Sequence, residues 1–427
     1  MKEQNMSFTI ESFYNPHLAL GNNRTDAVLT IANSAEVPQG SSKLDFIYIL
    51  DVSGSMNEHD KLNHAKIALR QSLSLLPSTA SFSIIVFNTS AKLLIPLCQV
   101  SEDSIAKAQK AVKEVVANGG TAMSTALVLA NKQFKSSSNT IKIAQFLTDG
   151  ENDTNDSKLL LNVLDSCKGV FQCHCRGIGV GWRPEQLRLI AGSLLGSADT
   201  IGDNFEQDFK DTINSASNLG VANVFLRLWS PKSAKIISVK QVMPEITDLM
   251  KLAKIVDEKI IDFPLGSWGK ESRDYHIGIE LSGGVSGDEV LACRPMVIYE
   301  ENGIPVKIVG PNVVASWTDN VQLTTRINSQ VAHYTGQAEL ASSIKEGLEA
   351  QALGDIDKAT KLLGKAVKIA ADSGNEEVTK RLKKVVDIVD VSMGTVRIKS
   401  SANKADVLGL DMGGTRTVRR SKPPTNT

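Results

Sequence analysis

Residues 44–50 read Leu-Asp-Phe-Ile-Tyr-Ile-Leu, a nearly continuous apolar run that stops at Asp51. A strand of this texture is buried on both faces, which calls for a parallel sheet covered by helices on either side. The sequence downstream fits that demand. Leu62, Ala65, Leu69, Leu73 and Leu76 recur at helical spacing. The strand FSIIVF, the helices SIAKAQKAVKEVV and TALVLANKQF, and the strand KIAQFLT come next. The helix SKLLLNVLDSC, the strand VFQCHCRGIGV, the helix PEQLRLIAGSL and a last helix near DFKDTINSAS complete the series. Strand–helix alternation over this length predicts a doubly wound α/β domain spanning residues 44–218.

The flanks read differently. Residues 1–43 hold two strands, SFTIESFY and DAVLTIAN, around the turn Gly21-Asn22-Asn23, then a polar break at 38–42. Residues 219–331 carry short strands separated by Pro, Gly and Asn turns, the signature of a β-sandwich. Two strands alone are marginal, so the N-terminal pair is expected to complete that sandwich. The α/β domain is then inserted in, or followed by, the sandwich. Residues 332–393 predict three helices, with Gly354-Asp355 and Gly374-Asn375 each giving a stop and then an N-cap. The segment 394–427 lacks apolar periodicity and reads as a flexible tail carrying Thr-Arg-Thr-Val-Arg-Arg.

With 427 residues, two or three domains are expected. The 47 basic and 47 acidic side chains balance, which argues against nucleic acid or a membrane surface as partner. The N-terminus lacks the apolar core of a signal peptide, and no stretch has the apolar length of a span. Five cysteines, an odd number, do not form a disulfide framework, so the cytoplasm is the expected compartment.

Chemistry concentrates where the buried strands end. Asp51-Val52-Ser53-Gly54-Ser55 offers a carboxylate and two hydroxyls at the carboxyl end of a strand, where doubly wound sheets bind ligands. Gly119-Gly120-Thr121 adds a third hydroxyl at a helix start, and Thr148-Asp149-Gly150 a second carboxylate after KIAQFLT. An all-oxygen set with few carboxylates suits Mg2+, with Mn2+ or Ca2+ as alternatives. Three neutral hydroxyls leave the ion's charge partly uncompensated, ready for one more oxygen from an outside carboxylate. Asp51, Ser53, Ser55, Thr121 and Asp149 are therefore the expected metal residues.

These residues resemble the von Willebrand factor A family, whose metal-ion-dependent adhesion site is D-x-S-x-S with a distant Thr and a distant Asp. All five positions match. The resemblance implies direct ligation by the serines, direct or water-mediated ligation by Thr121, and largely water-mediated contact from the aspartates. It implies a non-enzymatic, Mg2+-dependent protein–protein adaptor. More broadly, the chain resembles cytoplasmic bacterial members associated with Ser/Thr kinases, phosphatases and forkhead-associated modules. That likeness implies a phosphothreonine in the tail read by a forkhead-associated domain. Thr415, with Val418 three places on, is the preferred site and Thr417, with Arg420, the alternative.

Other readings compete. The same module could serve an AAA+ ATPase of the MoxR or chelatase type. A Mg2+-dependent phosphatase or nuclease would need more carboxylates and a base or nucleophile than the sequence offers. Cys167, Cys173, His174 and Cys175 invite zinc, but in a strand Cys173 and Cys175 share one face and His174 points to the other. Trp229, Trp268 and Trp317 are expected to pack within the sandwich. Glu58, Asp60, Glu151 and Asp153 lie in loops from which a carboxylate could plug the ion's open position.

Overall fold

The structure, a computed structural model, describes residues 8–36, 43–202, 204–301 and 303–419. The polar break at 38–42 and Arg420 lie outside the described residues. The chain divides into two compact units. One takes the described residues up to Ser34, then Phe225–Pro264 and everything from Glu271; the other takes Ala35–Val224 with Leu265–Lys270.

The chain opens with β1 (Phe8–Tyr14), β2 (His17–Ala19) and β3 (Arg24–Asn33). It then enters the α/β unit through β4 (Leu44–Asp51), in which all eight residues are buried. Helix α1 (Lys61–Ser72), strands β5 (Ser81–Phe87) and β6 (Ala91–Gln99), and helices α2 (Glu102–Lys113) and α3 (Met123–Lys135) follow. After them come β7 (Ile141–Thr148), α4 (Asp156–Cys167), β8 (Gln172–Ile178), α5 (Pro184–Ser193), β9 (Ala198–Ile201) and α6 (Phe205–Ser217). The sheet runs β6-β5-β4-β7-β8-β9, parallel throughout except for the antiparallel pair β5–β6. Strand order therefore reverses between β4 and β7, and the carboxyl ends of such strands are where doubly wound sheets form a ligand-binding crevice. Helices on one side of the sheet seal Phe46, Tyr48, Leu69, Phe82, Phe209 and Ile213 into one core.

The remaining strands are β10 (Val221–Trp229), β11 (Ala234–Met243), β12 (Thr247–Asp248), β13 (Lys254–Asp257), β14 (Ile260–Trp268) and β15 (Glu271–Leu281). The set is completed by β16 (Glu289–Glu301), β17 (Ile304–Val309) and β18 (Val313–Thr318). One sheet is ordered β1-β3-β15-β11-β12, the other β13-β14-β10-β16-β18-β2 with β17 on β16. The first strands of the chain join late ones: β3 pairs antiparallel with β15, and β2 runs parallel to β18. Phe8 of β1 meets Tyr299 of β16 with ring centroids 5.1 Å apart. Trp268 and Trp317 are fully buried, whereas Trp229 lies under Lys259 and Arg294 at 5.8 and 5.7 Å.

After the short α7 (Val321–Thr324), helices α8 (Ser329–Ala352), α9 (Ile356–Asp372) and α10 (Glu376–Val385) form. Asp355 and Asn375 cap the last two by accepting from Lys358 N and Val378 N, and Gly354 and Gly374 take positive φ just before them.

The segment expected to be a flexible tail over 394–427 is instead folded as far as Arg419, the last described residue. From Gly364's neighbour Gly394 onward the chain builds β20 (Thr395–Ile398), which pairs with β19 (Val386–Asp390), and then α11 (Lys404–Gly413). Val396 and Leu410 enter the core formed by Leu340, Ile344, Leu363, Leu382 and Val385. The residues after α11 are tied down as well. Ile246 N donates to Thr415 O at 2.9 Å, and Thr417 N to Pro244 O at 3.0 Å. Arg416 pairs with Glu377, while Arg419 reaches Asp274 and Ser272. Among the described residues no helix is long and apolar enough to cross a membrane.

Candidate metal centre

Backbone hydrogen bonds alone fix the end of β4. Val52 N donates to Phe87 O at 2.8 Å and Gly54 N to Gly119 O at 3.0 Å, which draws the Asp51–Ser55 turn against the loop carrying Thr121. Asn118 N returns a bond to Val52 O at 2.8 Å. The third strand end arrives through the pairing of β4 with β7, whose last residue, Thr148, precedes Asp149.

Four of the five sequence-derived residues are buried, and Ser55 is half-buried. Ser53 Oγ and Ser55 Oγ lie 3.2 Å apart, and Ser55 Oγ donates to Asp149 Oδ1 at 2.7 Å. Asp51 Oδ1 accepts from Ser53 N at 2.7 Å. Thr121 enters the same space: a Cβ added at Gly150 would stand 3.2 Å from Thr121 Oγ1 and 3.7 Å from Ser55 Oγ. The structure thus brings all five residues to the crevice where strand order reverses. Hard oxygen atoms facing one small volume, with two carboxylates among them, are a donor set that fits Mg2+.

Burial pushes the Asp51 carboxyl up to about 6, Asp149's charge adds to the rise, and donation from Thr148 and Ser53 opposes it. Such a group gains from a nearby cation that can replace the solvation it lost.

Two residues escaped the sequence reading. Thr148 Oγ1 donates to Asp51 Oδ2, orienting the carboxylate from behind. Lys61 Nζ lies 2.7 Å from Asp149 Oδ2. A ligand motif names the atoms that meet an ion and is silent about the groups that hold them. For Thr148 the available signal was its place at the end of a buried strand beside Asp149.

The loop carboxylates have other partners. Glu151 pairs with Arg183 at 2.7 Å, Asp153 Oδ1 accepts from Asn155 N at 2.8 Å, and Asp60 Oδ2 accepts from Asn63 at 3.2 Å. Glu58 lies 3.6 Å from Lys61. Cys173 and Cys175 are buried with sulfurs 4.0 Å apart, and burial pushes the Cys173 thiol well above its ordinary value. His174, on the opposite face, bonds Ser197 Oγ at 3.0 Å. Thr417 is buried and donates to Val242 O at 2.6 Å, while Thr415, half-buried, donates to Met412 O at 3.4 Å.

A 3-2-1-4-5-6 parallel-type sheet with hydroxyls and carboxylates at its reversal point defines a class of α/β ligand-binding modules. The comparisons narrow it. Residues 46–151 match the von Willebrand factor type A domain, and residues 368–414 match the von Willebrand factor type A C-terminal domain. A von Willebrand factor type A structure from Catenulispora acidiphila is 38% identical, with 98% of each chain covered and a TM-score of 0.91. The chain belongs to the von Willebrand factor type A family, a family of protein-interaction modules.

The ArnB paralog VWA2 from Sulfolobus acidocaldarius shares the fold at 15% identity, with 96% of this chain and 98% of that chain covered and a TM-score of 0.60. Among curated proteins, inter alpha-trypsin inhibitor heavy chain 4 from Mus musculus is 28% identical over 144 residues. That match takes in 31% of this chain and spans 15% of the relative's length.

Proposed function

We propose that Asp51, Ser53, Ser55, Thr121 and Asp149 hold a divalent cation, Mg2+ in first place, and that the protein is a cytoplasmic, non-enzymatic adaptor. The observation that carries this reading is the hydrogen-bonded Ser53–Ser55–Asp149 cluster beside buried Asp51, at the reversal point of the sheet. When bound, the ion supplies a coordination position for a carboxylate of the partner protein. Ser53, Ser55 and Thr121 contribute neutral oxygens, so the ion's charge is left to attract that carboxylate. Asp51 and Asp149 supply the compensating negative charge, with Thr148 fixing the orientation of Asp51. Among the described residues no group of three or more histidine, cysteine or acidic side chains could hold a metal ion, so the set of two carboxylates and three hydroxyls is the one on which the docking reading rests.

A phosphothreonine at the C-terminal end, read by a forkhead-associated module, is part of the same proposal. The fold sets its condition. Thr417 has its hydroxyl against Val242 O and Pro244 O, so a phosphate there requires residues 415–419 to leave the sheet edge. Thr415 is less enclosed and is the preferred acceptor.

Affinity capture from bacterial lysate, with Mg2+ and with chelator, tests the adaptor reading. The double variant Asp51→Ala, Ser53→Ala is expected to lose the Mg2+-dependent partners while keeping its circular-dichroism spectrum. Identical partners in chelator, or with the folded variant, would sink the proposal.

A further inference from the structure

Lys61 opens α1, the end of a helix where a cation is electrostatically disfavoured. It does not turn to solvent: its side chain is only 13% exposed. Its ammonium lies 2.7 Å from Asp149 Oδ2, 3.5 Å from Ser55 O and 3.6 Å from Glu58. The Asp149 side chain it meets is fully buried, and the other oxygen of that carboxylate is taken by Ser55 Oγ.

The surroundings are shaped for this placement. His59 and Asp60, two successive non-glycine residues, both adopt left-handed backbone, with φ 51° and 58°. A non-glycine residue there is strained and persists where the surroundings enforce it. The pair redirects the chain between the Asp51–Ser55 turn and α1, immediately before Lys61. From the opposite loop, Gly179 leaves room for the lysine stem, since a Cβ there would come within 3.2 Å of Lys61 Cε.

We propose that Lys61 is the resident cation of this crevice: it neutralises Asp149, keeps divalent-ion affinity low enough for exchange, and adds its charge to that facing an anionic partner. The inference rests on the divalent-ion reading above and concerns how that site is regulated. Two cations near one carboxylate repel each other, so the lysine weakens the ion's hold. In the ion-free protein the same lysine satisfies a buried carboxylate that would otherwise be uncompensated.

The test is calorimetric titration of the full chain with MnCl2, together with thermal melts in chelator. Lys61→Met, which keeps the stem and removes the charge, is expected to bind Mn2+ about tenfold more tightly than the parent. Its ion-free form should melt lower and recover more on Mn2+ addition. Lys61→Arg should bind within about threefold of the parent, because the charge is retained. Lys61→Gln, which leaves Asp149 a donor, should also bind more tightly, and it serves if the methionine variant folds poorly. Unchanged or weaker binding by the neutral variants overturns the proposal, as does an arginine variant that binds as tightly as they do. Asp51→Ala is the non-binding control. A parent and neutral variants that all fail to bind Mn2+ overturn the metal reading itself, a result distinct from failure of the lysine's role alone.

Discussion

At the scale of single residues, the crevice depends on side chains that would never touch an ion. Thr148 is the clearest: fully buried, it directs its hydroxyl at Asp51 Oδ2 while Ser53 N occupies Oδ1. Thr148→Val retains the shape and removes the donor. Outer groups of this kind typically contribute about 10–100-fold to metal affinity. The variant is therefore expected to bind Mn2+ at least tenfold more weakly with little loss of fold, as read by calorimetry and circular dichroism. Parent-like affinity would show that the Asp51 carboxylate is oriented without it. The five oxygen-bearing residues were legible in the sequence because each sits at a recognisable strand end or helix start. Thr148 and Lys61 were not, because support is a matter of which atoms the fold brings within 3 Å, and no spacing encodes that.

At the scale of elements, the pairing of β3 with β15 shows how a charge cluster fastens one strand to another. Asp26 on β3 receives Arg24 in two bonds, 2.9 and 2.8 Å, and His276 of β15 lies 3.3 Å away. Partial burial would raise the Asp26 carboxyl, but bonds and charge from His276 and Arg24 overcome it and hold the group at about 2. A carboxyl depressed in the folded state stabilises above the unfolded value near 3.9, and that contribution is lost as pH falls from there toward 2. Asp26→Asn should therefore lower the urea midpoint at pH 7, with the gap to the parent closing between about pH 4 and 2.5. A gap independent of pH would assign the loss to packing instead.

Elements also differ in how openly the sequence declares them. Strand β4 was legible because seven apolar-rich residues demand two covered faces, and the three helices from Ser329 because their apolar spacing and caps agree, except that the third stops at Val385 and Val386–Asp390, expected as helix, is strand β19. Strand β6 was missed: it contains Pro96, has no buried residue, and borders the sheet through an antiparallel pairing that the helix-linked alternation does not suggest. Helix α11, ten residues long, escaped for a related reason. Its sequence KADVLGLDMG has a glycine inside and too few apolar positions for a period to emerge. The segment after it is held by backbone bonds and two arginines, features that look like a solvated basic tail until the partners Glu377 and Asp274 are seen.

At the scale of the whole molecule, the C-terminal residues are part of the structure that supports the sandwich and helices. A chain ending at Met393 would lose β20 and α11 and expose Leu382, Val385 and Leu340, which Val396 and Leu410 now cover. Loss of several large apolar contacts typically costs about 2–5 kcal/mol per side chain. The truncated protein is expected to precipitate or to melt at least about 10 °C below the full chain, measured by differential scanning fluorimetry. Soluble protein with an unchanged melting temperature would restore the flexible-tail expectation.

The pairing of β3 with β15 also has a temporal side. A ribosome delivers β3 first and Glu271 roughly 240 residues later, a wait on the order of 10–50 s at ordinary translation speeds. Throughout that interval β1 and β3 can form a hairpin, yet one side of β3 has no neighbour and its buried Val28, Leu29 and Ile31 have nothing to cover them. The α/β unit, whose sequence from Ala35 to Val224 is nearly uninterrupted, emerges during the same wait. The nascent chain must therefore protect an open, aggregation-prone strand edge while its middle folds, so slowing translation between codons 34 and 271 should raise the fraction captured by chaperones.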